Sequence, residues 1–257
     1  MSAERILALR QRAAALPVTV ELVAETGSTN ADLMQRVPSL TGATLRIAEQ
    51  QTAGRGRAGR SWLSEPGSAL MFSLAWCFAG PLHRLTGLPL AVGVALAEAM
   101  QALEVPVTLK WPNDVIKDGS KLAGILVETQ AGADGSIWAV IGVGLNLLVP
   151  DQLERAIGRD VASAPWLARM DRDLLMATLL DHLTAVLDEF AQTGFAAFRL
   201  RWNQLDAYHG QAVRILDQGR VLHEGSAAGV DADGRLLLDS ASGRITVLSG
   251  DVSLRLA

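Results

Sequence analysis

Several residue types are scarce in this sequence, and each scarcity excludes a class of site. The 257 residues include a single cysteine, Cys77, so the chain cannot form an internal disulfide. The four histidines lie far apart without metal-ligand spacing, and no second cysteine is available, which excludes a Cys/His zinc site. A lone cysteine within an apolar run is typical of a small buried hydrophobe, and it favours a cytoplasmic protein.

Long hydrophobic runs and an excess of basic charge are also missing. No stretch of 18 or more uninterrupted apolar residues occurs, since Glu98 interrupts the most apolar segment, and we therefore expect no membrane span. The N-terminal residues mix charged and apolar side chains at helical spacing, which predicts a short amphipathic helix and no export signal. The net charge of −4 gives no reason to expect nucleic-acid binding.

Alternating apolar residues predict strands in much of the first part of the chain. Short strand-like segments are separated by turn signals such as Asp118-Gly119 and Asp134-Gly135, and helical periodicity occurs over residues 85–104. We therefore expect a largely antiparallel sheet with helices packed on it.

The remainder of the chain divides into a helical part and a second set of strands. Residues 171–203 repeat apolar side chains every three or four positions and break at Gly194, which predicts two helices in tandem. After Tyr208, short strands follow one another with glycine or aspartate turns, a pattern typical of a small β-barrel. The fold class is therefore α+β, with a main domain over 1–206 and a C-terminal β domain over 207–257.

The segment TAGRGRAGR, residues 52–60, combines three glycines with three arginines. Its glycine spacing matches a dinucleotide-binding loop, but the residues after Gly59 include Pro66 and then alternate as a strand, so no helix follows to hold a pyrophosphate. A Walker phosphate loop is excluded because Gly59 is followed by Arg60 in place of lysine. Two interpretations remain open: a solvated flexible loop, or a loop whose backbone and guanidinium groups enclose an anionic ligand.

Five short motifs occur in order along the chain. They are GSTN at 27–30, GRGRAGRSW at 54–62, KWPNDV at 110–115, KLAGILVE at 121–128 and GVGLN at 142–146. In order and spacing these motifs resemble those of the biotin protein ligases, also called biotin–[acetyl-CoA-carboxylase] ligases. The likeness runs from about residue 20 to the C-terminus, and the combination is far more specific than any single motif.

The resemblance implies an ATP-dependent ligase with a two-step reaction. Enzymes of this family join biotin to ATP as biotinyl-5′-AMP and then transfer biotin to one lysine of a biotin carboxyl carrier protein or domain, as in acetyl-CoA carboxylase. Biotin and ATP would be bound as substrates, and Mg²⁺ would accompany ATP without a site made of protein groups alone. The implied fold is a class II synthetase-like catalytic domain followed by an SH3-like β-barrel.

The resemblance also implies roles for individual residues. Biotin contacts are expected from Ser28, Thr29, Asn30, Gln51, Arg55, Gly56, Arg57, Lys121 and Gly124. Contacts with ATP or the adenylate are expected from Arg57, Arg60, Trp62, Lys110, Asn113, Lys121, Asn146 and Arg255. Catalytic roles are expected for Lys121, Arg55, Arg57, Lys110 and Asp114. The cationic members of this set would stabilise the two anions that must react.

Several of these residues have simpler explanations that the sequence leaves open. Ser28 or Thr29 could merely cap the helix that follows them, although a cap and a ligand contact are compatible. Asn113 and Asn146 could be turn residues that tolerate unusual backbone angles. Trp62 could be an ordinary core residue.

The remaining assignments are open in a similar way. Arg255 could be a surface residue at the terminus. Asp114 could bind Mg²⁺ that accompanies ATP, steer the incoming ammonium group, or anchor Lys110. No histidine lies in the motifs, so the base that deprotonates the acceptor lysine stays unassigned.

Two rival functions share part of this pattern. Enzymes that attach lipoate or octanoate share the fold but lack this glycine-arginine loop beside KWPND, and a non-catalytic biotin sensor would bind without turnover. About 20 residues precede the first motif-bearing strand, too few for a helix-turn-helix domain, so we expect no nucleic-acid partner. An exposed edge of the predicted sheet would permit a homodimer.

Overall fold

The computed structural model describes residues 1–11, 17–132, 135–158, 160–217, 219–250 and 252–257. Asp134, in one of the expected turns, lies outside the described residues. The strands are β1 (Val18–Thr26), β2 (Ala43–Gln51), β3 (Ala69–Phe78), β4 (Thr108–Lys110), β5 (Asp114–Lys117), β6 (Ser120–Ala131), β7 (Ile137–Asn146), β8 (Ala212–Asp217), β9 (Arg220–Val230), β10 (Leu236–Ser240), β11 (Gly243–Val247) and β12 (Val252–Leu256). The helices are α1 (Ala3–Leu9), α2 (Thr29–Arg36), α3 (Leu88–Ala102), α4 (Asp151–Ile157), α5 (Pro165–Arg169), α6 (Arg172–Thr193) and α7 (Arg199–Gln204).

Strands β1 to β7 form a seven-stranded sheet in the order β1-β2-β3-β7-β6-β5-β4. The expectation of a largely antiparallel sheet needs one correction, because β1 and β2 pair in parallel. Helix α2 connects these two strands as a crossover, which returns the chain to the same end of the sheet. The other neighbouring strands pair antiparallel, so the sheet is mixed.

Helices cover both faces of this sheet. On one face, α3 and α6 pack over the main core, which includes Leu74 of β3 and Ala139 of β7. On the other face, Leu33 of α2 packs with Ala75 and Val140 from the same two strands. Successive side chains of a strand point to opposite faces, so β3 and β7 contribute to both cores. This layering places α2 against the middle of the sheet.

Helix α3 lies in the centre of the main core. By length and composition alone, the helical segment Leu82–Ala102 is apolar enough to cross a membrane. In the structure, 67% of its most apolar window is buried within the protein, and α3 packs between α6 and the sheet. Burial as a core helix accounts for its composition, since a helix buried on all sides is apolar on all sides.

The expected tandem helices are present as α6 and α7, and they separate at Gly194, where φ is 66°. The expected N-terminal helix is α1, which packs on α6. Just beyond α1, Arg10 donates to Asp181 Oδ1 over 2.7 Å and to Thr184 Oγ1 over 2.8 Å. Both charged side chains of this pair are less than 10% exposed, so the ion pair is buried.

Strands β8 to β12 form a second, five-stranded antiparallel sheet in the order β11-β10-β9-β8-β12. The segment between the two sheets pairs with the edge of the first sheet, because Leu109 N donates to Leu205 O and Ala207 N donates to Leu109 O. The indole of Trp111 donates to Gly234 O over 3.1 Å. These bonds hold the second sheet beside β4.

The buried ion pair generates a prediction about stability. Asp181→Ala should lower the free energy of unfolding by about 3 kcal/mol, because it leaves the Arg10 guanidinium buried without its carboxylate. Denaturant unfolding measures the change. Asp239→Ala is the matched control, because it removes an exposed carboxylate paired with Arg244 and should leave stability unchanged. Equal effects of the two substitutions would contradict the prediction.

Candidate active site

The glycine-arginine segment forms a short hairpin between β2 and β3. Gly56 N donates to Arg60 O over 2.6 Å, and Trp62 N donates to Gly54 O over 2.9 Å, which joins the two arms. Gly59, in the turn, has a φ of 69°. Gly54 is required for space, since a Cβ there would lie 2.7 Å from the carbonyl oxygen of Trp62. A strand and not a helix follows the hairpin, as the alternating residues after Gly59 predict.

Two arginines tie this hairpin to both sheets. Arg55 donates to Glu128 Oε2 of β6 over 2.7 Å. Arg57 donates to Asn113 Oδ1 over 3.1 Å and to the carbonyl oxygen of Gly250, which precedes β12. The guanidinium groups of two residues that line the cavity are therefore held by protein oxygens.

Trp62, at the end of the hairpin, lies over two glycine positions of the sheet. A Cβ at Gly144 of β7 would overlap with its ring, and a Cβ at Gly124 of β6 would lie 2.7 Å from Lys121 Nζ. Lys121 Nζ lies 5.6 Å from the centre of the Trp62 ring, a cation-π distance. The indole N–H of Trp62 is buried and has no acceptor among the described residues. A buried donor normally has a partner, and a ligand in the cavity would supply one.

Two lysines lie where β4, β5 and β6 meet. Lys121 Nζ lies 2.5 Å from Asp114 Oδ1, and both side chains are less than 20% exposed. Lys110 Nζ lies 5.3 Å from the centre of the Tyr208 ring. The ammonium group of Lys121 therefore has a fixed position at the cavity, because the Asp114 carboxylate holds it.

Two ionisable residues lie in the segment that pairs with β4: Tyr208, whose ring lies beside Lys110, and Asp206, which pairs with Leu109. Burial raises the pKa of the Tyr208 hydroxyl, with a smaller opposing effect from the positive charge of Arg255. Burial also raises the pKa of the Asp206 carboxyl. Desolvation therefore disfavours the charged form of both groups.

The GSTN motif begins helix α2. The Ser28 hydroxyl accepts from Ala31 N over 3.5 Å, so Ser28 is the N-cap, and it also lines the cavity. The capping explanation is therefore correct for Ser28, and it is compatible with a ligand contact.

Thr29 and Asn30 belong to a buried chain of hydrogen bonds. Thr29 N donates to Gln51 Oε1 over 2.8 Å, and the Thr29 hydroxyl lies 2.7 Å from Ser73 Oγ. Ser73 Oγ donates to Asn30 Oδ1 over 2.6 Å, and Asn30 Nδ2 donates to Glu128 Oε2 over 2.9 Å. The chain thus runs from Gln51, which lines the cavity, to the carboxylate that binds Arg55.

A single open cavity brings nearly all of the predicted residues together. The predicted residues that line it are Ser28, Thr29, Asn30, Gln51, Arg55, Gly56, Arg57, Arg60, Trp62, Lys110, Asn113, Asp114, Lys121, Gly124 and Arg255. Asn146 differs: it ends β7 and lines an adjoining cavity, which shares Arg60, Trp62, Lys121 and Arg255 with the first. Its Nδ2 donates to Lys121 O and to Ala162 O, each over 3.2 Å.

Sequence reasoning missed five residues that shape this site: Ser73, Glu128, Gly142, Gly144 and Tyr208. A Cβ at Gly142 would overlap with Asn30 Oδ1, so this glycine makes room for Asn30 as Gly144 does for Trp62. Two signals were available, because Gly142 and Gly144 lie on one face of a strand and Ser73 interrupts the apolar run of β3. The described residues include no group of three or more His, Cys, Asp or Glu side chains that could hold a metal ion.

Two family models match the chain. Residues 22–146 match the biotin/lipoate A/B protein ligase family, and residues 208–255 match the biotin protein ligase C terminal domain. The first match covers the hairpin and the strands of the first sheet that line the cavity, whereas β12, which also lines it, falls in the second match. The second match covers the five-stranded sheet.

Named relatives extend the similarity to most of the chain. A biotin–[acetyl-CoA-carboxylase] ligase from Mycobacterium tuberculosis is 36% identical over 91% of this chain and 88% of that protein. A ligase of the same name from Paracoccus denitrificans is 30% identical over 90% of this chain and 98% of that protein. The bifunctional ligase/repressor BirA of Escherichia coli is 34% identical, and the match covers 90% of this chain and 72% of BirA.

A solved structure agrees with the sequence matches. The biotin protein ligase from Aquifex aeolicus in complex with biotin and ATP superposes with a TM-score of 0.78 at 28% identity. The match covers 93% of this chain and 99% of that chain. The chain therefore belongs to the biotin protein ligases of the biotin/lipoate A/B protein ligase family.

Proposed function

We propose that this chain activates biotin with ATP as biotinyl-5′-AMP and transfers the biotin to a lysine of a biotin carboxyl carrier protein or domain. The relatives named for ligation to acetyl-CoA carboxylase support this reaction, and the related structure with biotin and ATP supports both substrates. The observation that carries the proposal is the single cavity in which Arg55, Arg57, Lys110 and Lys121 converge.

The first step requires two anions to meet. The biotin carboxylate attacks the α-phosphorus of ATP, and pyrophosphate leaves as the mixed anhydride forms. Lys121 is the cation best placed to stabilise this charge, because Asp114 fixes its ammonium group before any substrate arrives. Fixed charge of this kind needs no reorganisation during the reaction.

The second step requires the adenylate to survive until a carrier arrives. The ε-amine of the acceptor lysine attacks the acyl carbon of the anhydride, and AMP leaves. Arg57 is suited to retain the adenylate, because its contacts with Asn113 and Gly250 hold the hairpin over the cavity. We assign the adenine side of the site to Trp62, Asn146 and Arg255, which line the adjoining cavity.

We propose that Mg²⁺ enters with ATP, whose phosphates supply most of its ligands. Among the described residues that line the cavity with Lys110 and Lys121, the carboxylate is that of Asp114. Its Oδ1 binds Lys121, and its Oδ2 is suited to such an ion. When bound, the ion would neutralise part of the phosphate charge.

The finer architectural assignments are also proposals. We infer a class II synthetase-like catalytic domain over 1–206 and an SH3-like barrel over 207–257, for which the five-stranded antiparallel sheet is suitable. We propose a cytoplasmic location, which the single cysteine favours. Dimerisation through a sheet edge stays a prediction.

The decisive experiment compares two acyl donors in one assay. The purified protein is incubated with ATP, Mg²⁺ and either biotin or lipoate, and pyrophosphate release is followed together with the mass of an apo carrier domain. We expect biotin to support both signals and lipoate to support neither. Reaction with lipoate alone would overturn the proposal, and biotin binding without pyrophosphate release would indicate a sensor.

Lys121→Ala should slow adenylate formation by about 10²- to 10³-fold, because it removes a fixed positive charge next to the reacting anions. Pyrophosphate release in a single turnover measures this step. Lys117→Ala is the matched control, since Lys117 is the last residue of β5, and its ammonium lies over the Trp166 ring and outside the cavity. An unchanged first step in Lys121→Ala would refute the role of this lysine.

Arg57→Gly should shorten the lifetime of bound adenylate by about tenfold or more, because it removes the contacts with Asn113 and Gly250 that help to hold the hairpin. The released adenylate should then acylate lysines of an unrelated bystander protein, which mass spectrometry detects. Arg84→Gly, at an exposed arginine outside the cavity, should retain adenylate like the wild type. Equal retention in Arg57→Gly and the wild type would contradict this assignment.

Gly144→Ala should raise the KM for ATP by about tenfold, because the added methyl group displaces the Trp62 ring from its position over β7. Pyrophosphate release at varied ATP measures the change, and the KM for biotin should change less. Gly42→Ala is the control, since a Cβ at Gly42 meets no atom within 4 Å. A normal KM for ATP in Gly144→Ala would show that the position of Trp62 does not matter for nucleotide binding.

A further inference from the structure

The hydrogen bonds around Thr29 can be assigned a direction by counting protons. Asn30 Nδ2 faces two acceptors, Glu128 Oε2 at 2.9 Å and Leu126 O at 3.5 Å. An amide nitrogen donates and an amide oxygen accepts, so this contact fixes which end of the Asn30 amide faces inward. Asn30 Oδ1 therefore faces Ser73, and the Ser73 hydroxyl must donate to it over 2.6 Å.

This direction passes on to the neighbouring hydroxyl. Ser73 has one hydroxyl proton, and Asn30 Oδ1 receives it. The Ser73 oxygen can then only accept from Thr29, whose Oγ1 lies 2.7 Å away. A second acceptor, Gln51 Oε1, lies 3.1 Å from the same Thr29 oxygen. On either contact the single Thr29 proton is bound by the protein, so Thr29 faces the cavity with lone pairs alone.

Gln51 offers a hydrogen-bond donor to the cavity, whereas Thr29 offers an acceptor. Its Oε1 accepts from Thr29 N over 2.8 Å, and one N–H of its Nε2 is directed at Met71 Sδ over 3.4 Å. The other N–H of that amide is available to a carbonyl oxygen in the cavity. The site thus offers an acceptor and a donor side by side, which matches an N–H beside a carbonyl.

We propose that Glu128, acting through Asn30 and Ser73, is a specificity-determining positioning residue that holds the Thr29 hydroxyl as an acceptor toward the ligand. The inference rests on the proposed function, and it identifies why a cyclic urea is selected over a ring in which an oxygen replaces the N–H. A ring oxygen opposite Thr29 would bring two acceptors together without a proton, and buried groups left unpaired in this way weaken binding strongly.

Burial of the chain explains why this direction persists. Thr29, Asn30 and Ser73 are each at most 3% exposed, so bulk water does not compete with the bonds among them. The same Glu128 oxygen binds Arg55 of the hairpin, so Glu128 substitutions also alter the covering of the cavity. Ser73 has no contact with the arginines in the bonds described, which makes Ser73→Ala the cleaner test.

The experiment compares biotin with its two cyclic carbamate isomers, in which a ring oxygen replaces one or the other ureido N–H. Dissociation constants are measured by calorimetry for the wild type, Ser73→Ala, Thr29→Val and Glu128→Gln. In the wild type, the isomer that lacks the N–H facing Thr29 should bind at least about tenfold more weakly than the other isomer. Ser73→Ala should reduce this ratio at least about threefold, because it removes the shorter of the two contacts that bind the Thr29 proton and leaves only the 3.1 Å contact with Gln51 Oε1.

The other variants separate polarity from packing. Thr29→Val, which keeps the shape but has no hydroxyl, should bring the ratio of the two isomers close to one. Glu128→Gln should reduce the ratio, since a glutamine amide can donate to Asn30 and reverse the chain. Glu49→Gln is the matched control on the exposed side of β2, and it should keep the ratio of the wild type.

The outcomes distinguish the two proposals. Failure of the wild type to turn over biotin would overturn the proposed function. An unchanged isomer ratio in Ser73→Ala that still adenylates biotin would overturn the polarity inference alone. A wild type that binds both carbamates equally would overturn it as well.

Discussion

The site depends on glycines in two interior strands of the first sheet, because the lack of a side chain at these positions leaves room for the residues of the cavity. Gly124, Gly142 and Gly144 lie on β6 and β7, and a Cβ at each would collide with Lys121, Asn30 or Trp62. Glycine weakens a strand, because it has no side chain to pack and loses more entropy on folding. These positions are tolerable because β6 and β7 are interior strands, paired on both sides, so the ladder holds the backbone.

The charged groups of the cavity are arranged before any substrate is present. Asp114 holds Lys121, Glu128 holds Arg55, and Asn113 holds Arg57, each through a charged or hydrogen-bonded contact. Partners of this kind lower the entropic cost of binding, because the cations need not be ordered by the ligand. They also set a limit on affinity, since a ligand must compete with protein oxygens for the same guanidinium groups.

The second sheet and the segment that leads into it place several groups beside the cavity. The segment that joins the sheets pairs with β4, and Tyr208, which follows it, lies beside Lys110. On the opposite side, the loop before β12 contacts Arg57, and Arg255 of β12 lines both cavities. Groups from both sheets therefore line the cavity around the KWPND turn.

The sequence by itself determined the two sets of strands, the tandem helices and the family, because these follow from local periodicity and from motifs whose residues are adjacent in the chain. It did not determine the parallel pairing of β1 with β2, which depends on the path of α2 across the sheet. It also could not identify Glu128 as the partner of Arg55, or Ser73 as the link between Thr29 and Asn30. Such contacts join residues more than 40 positions apart, and strand register decides them, since a shift of one residue turns every side chain to the other face.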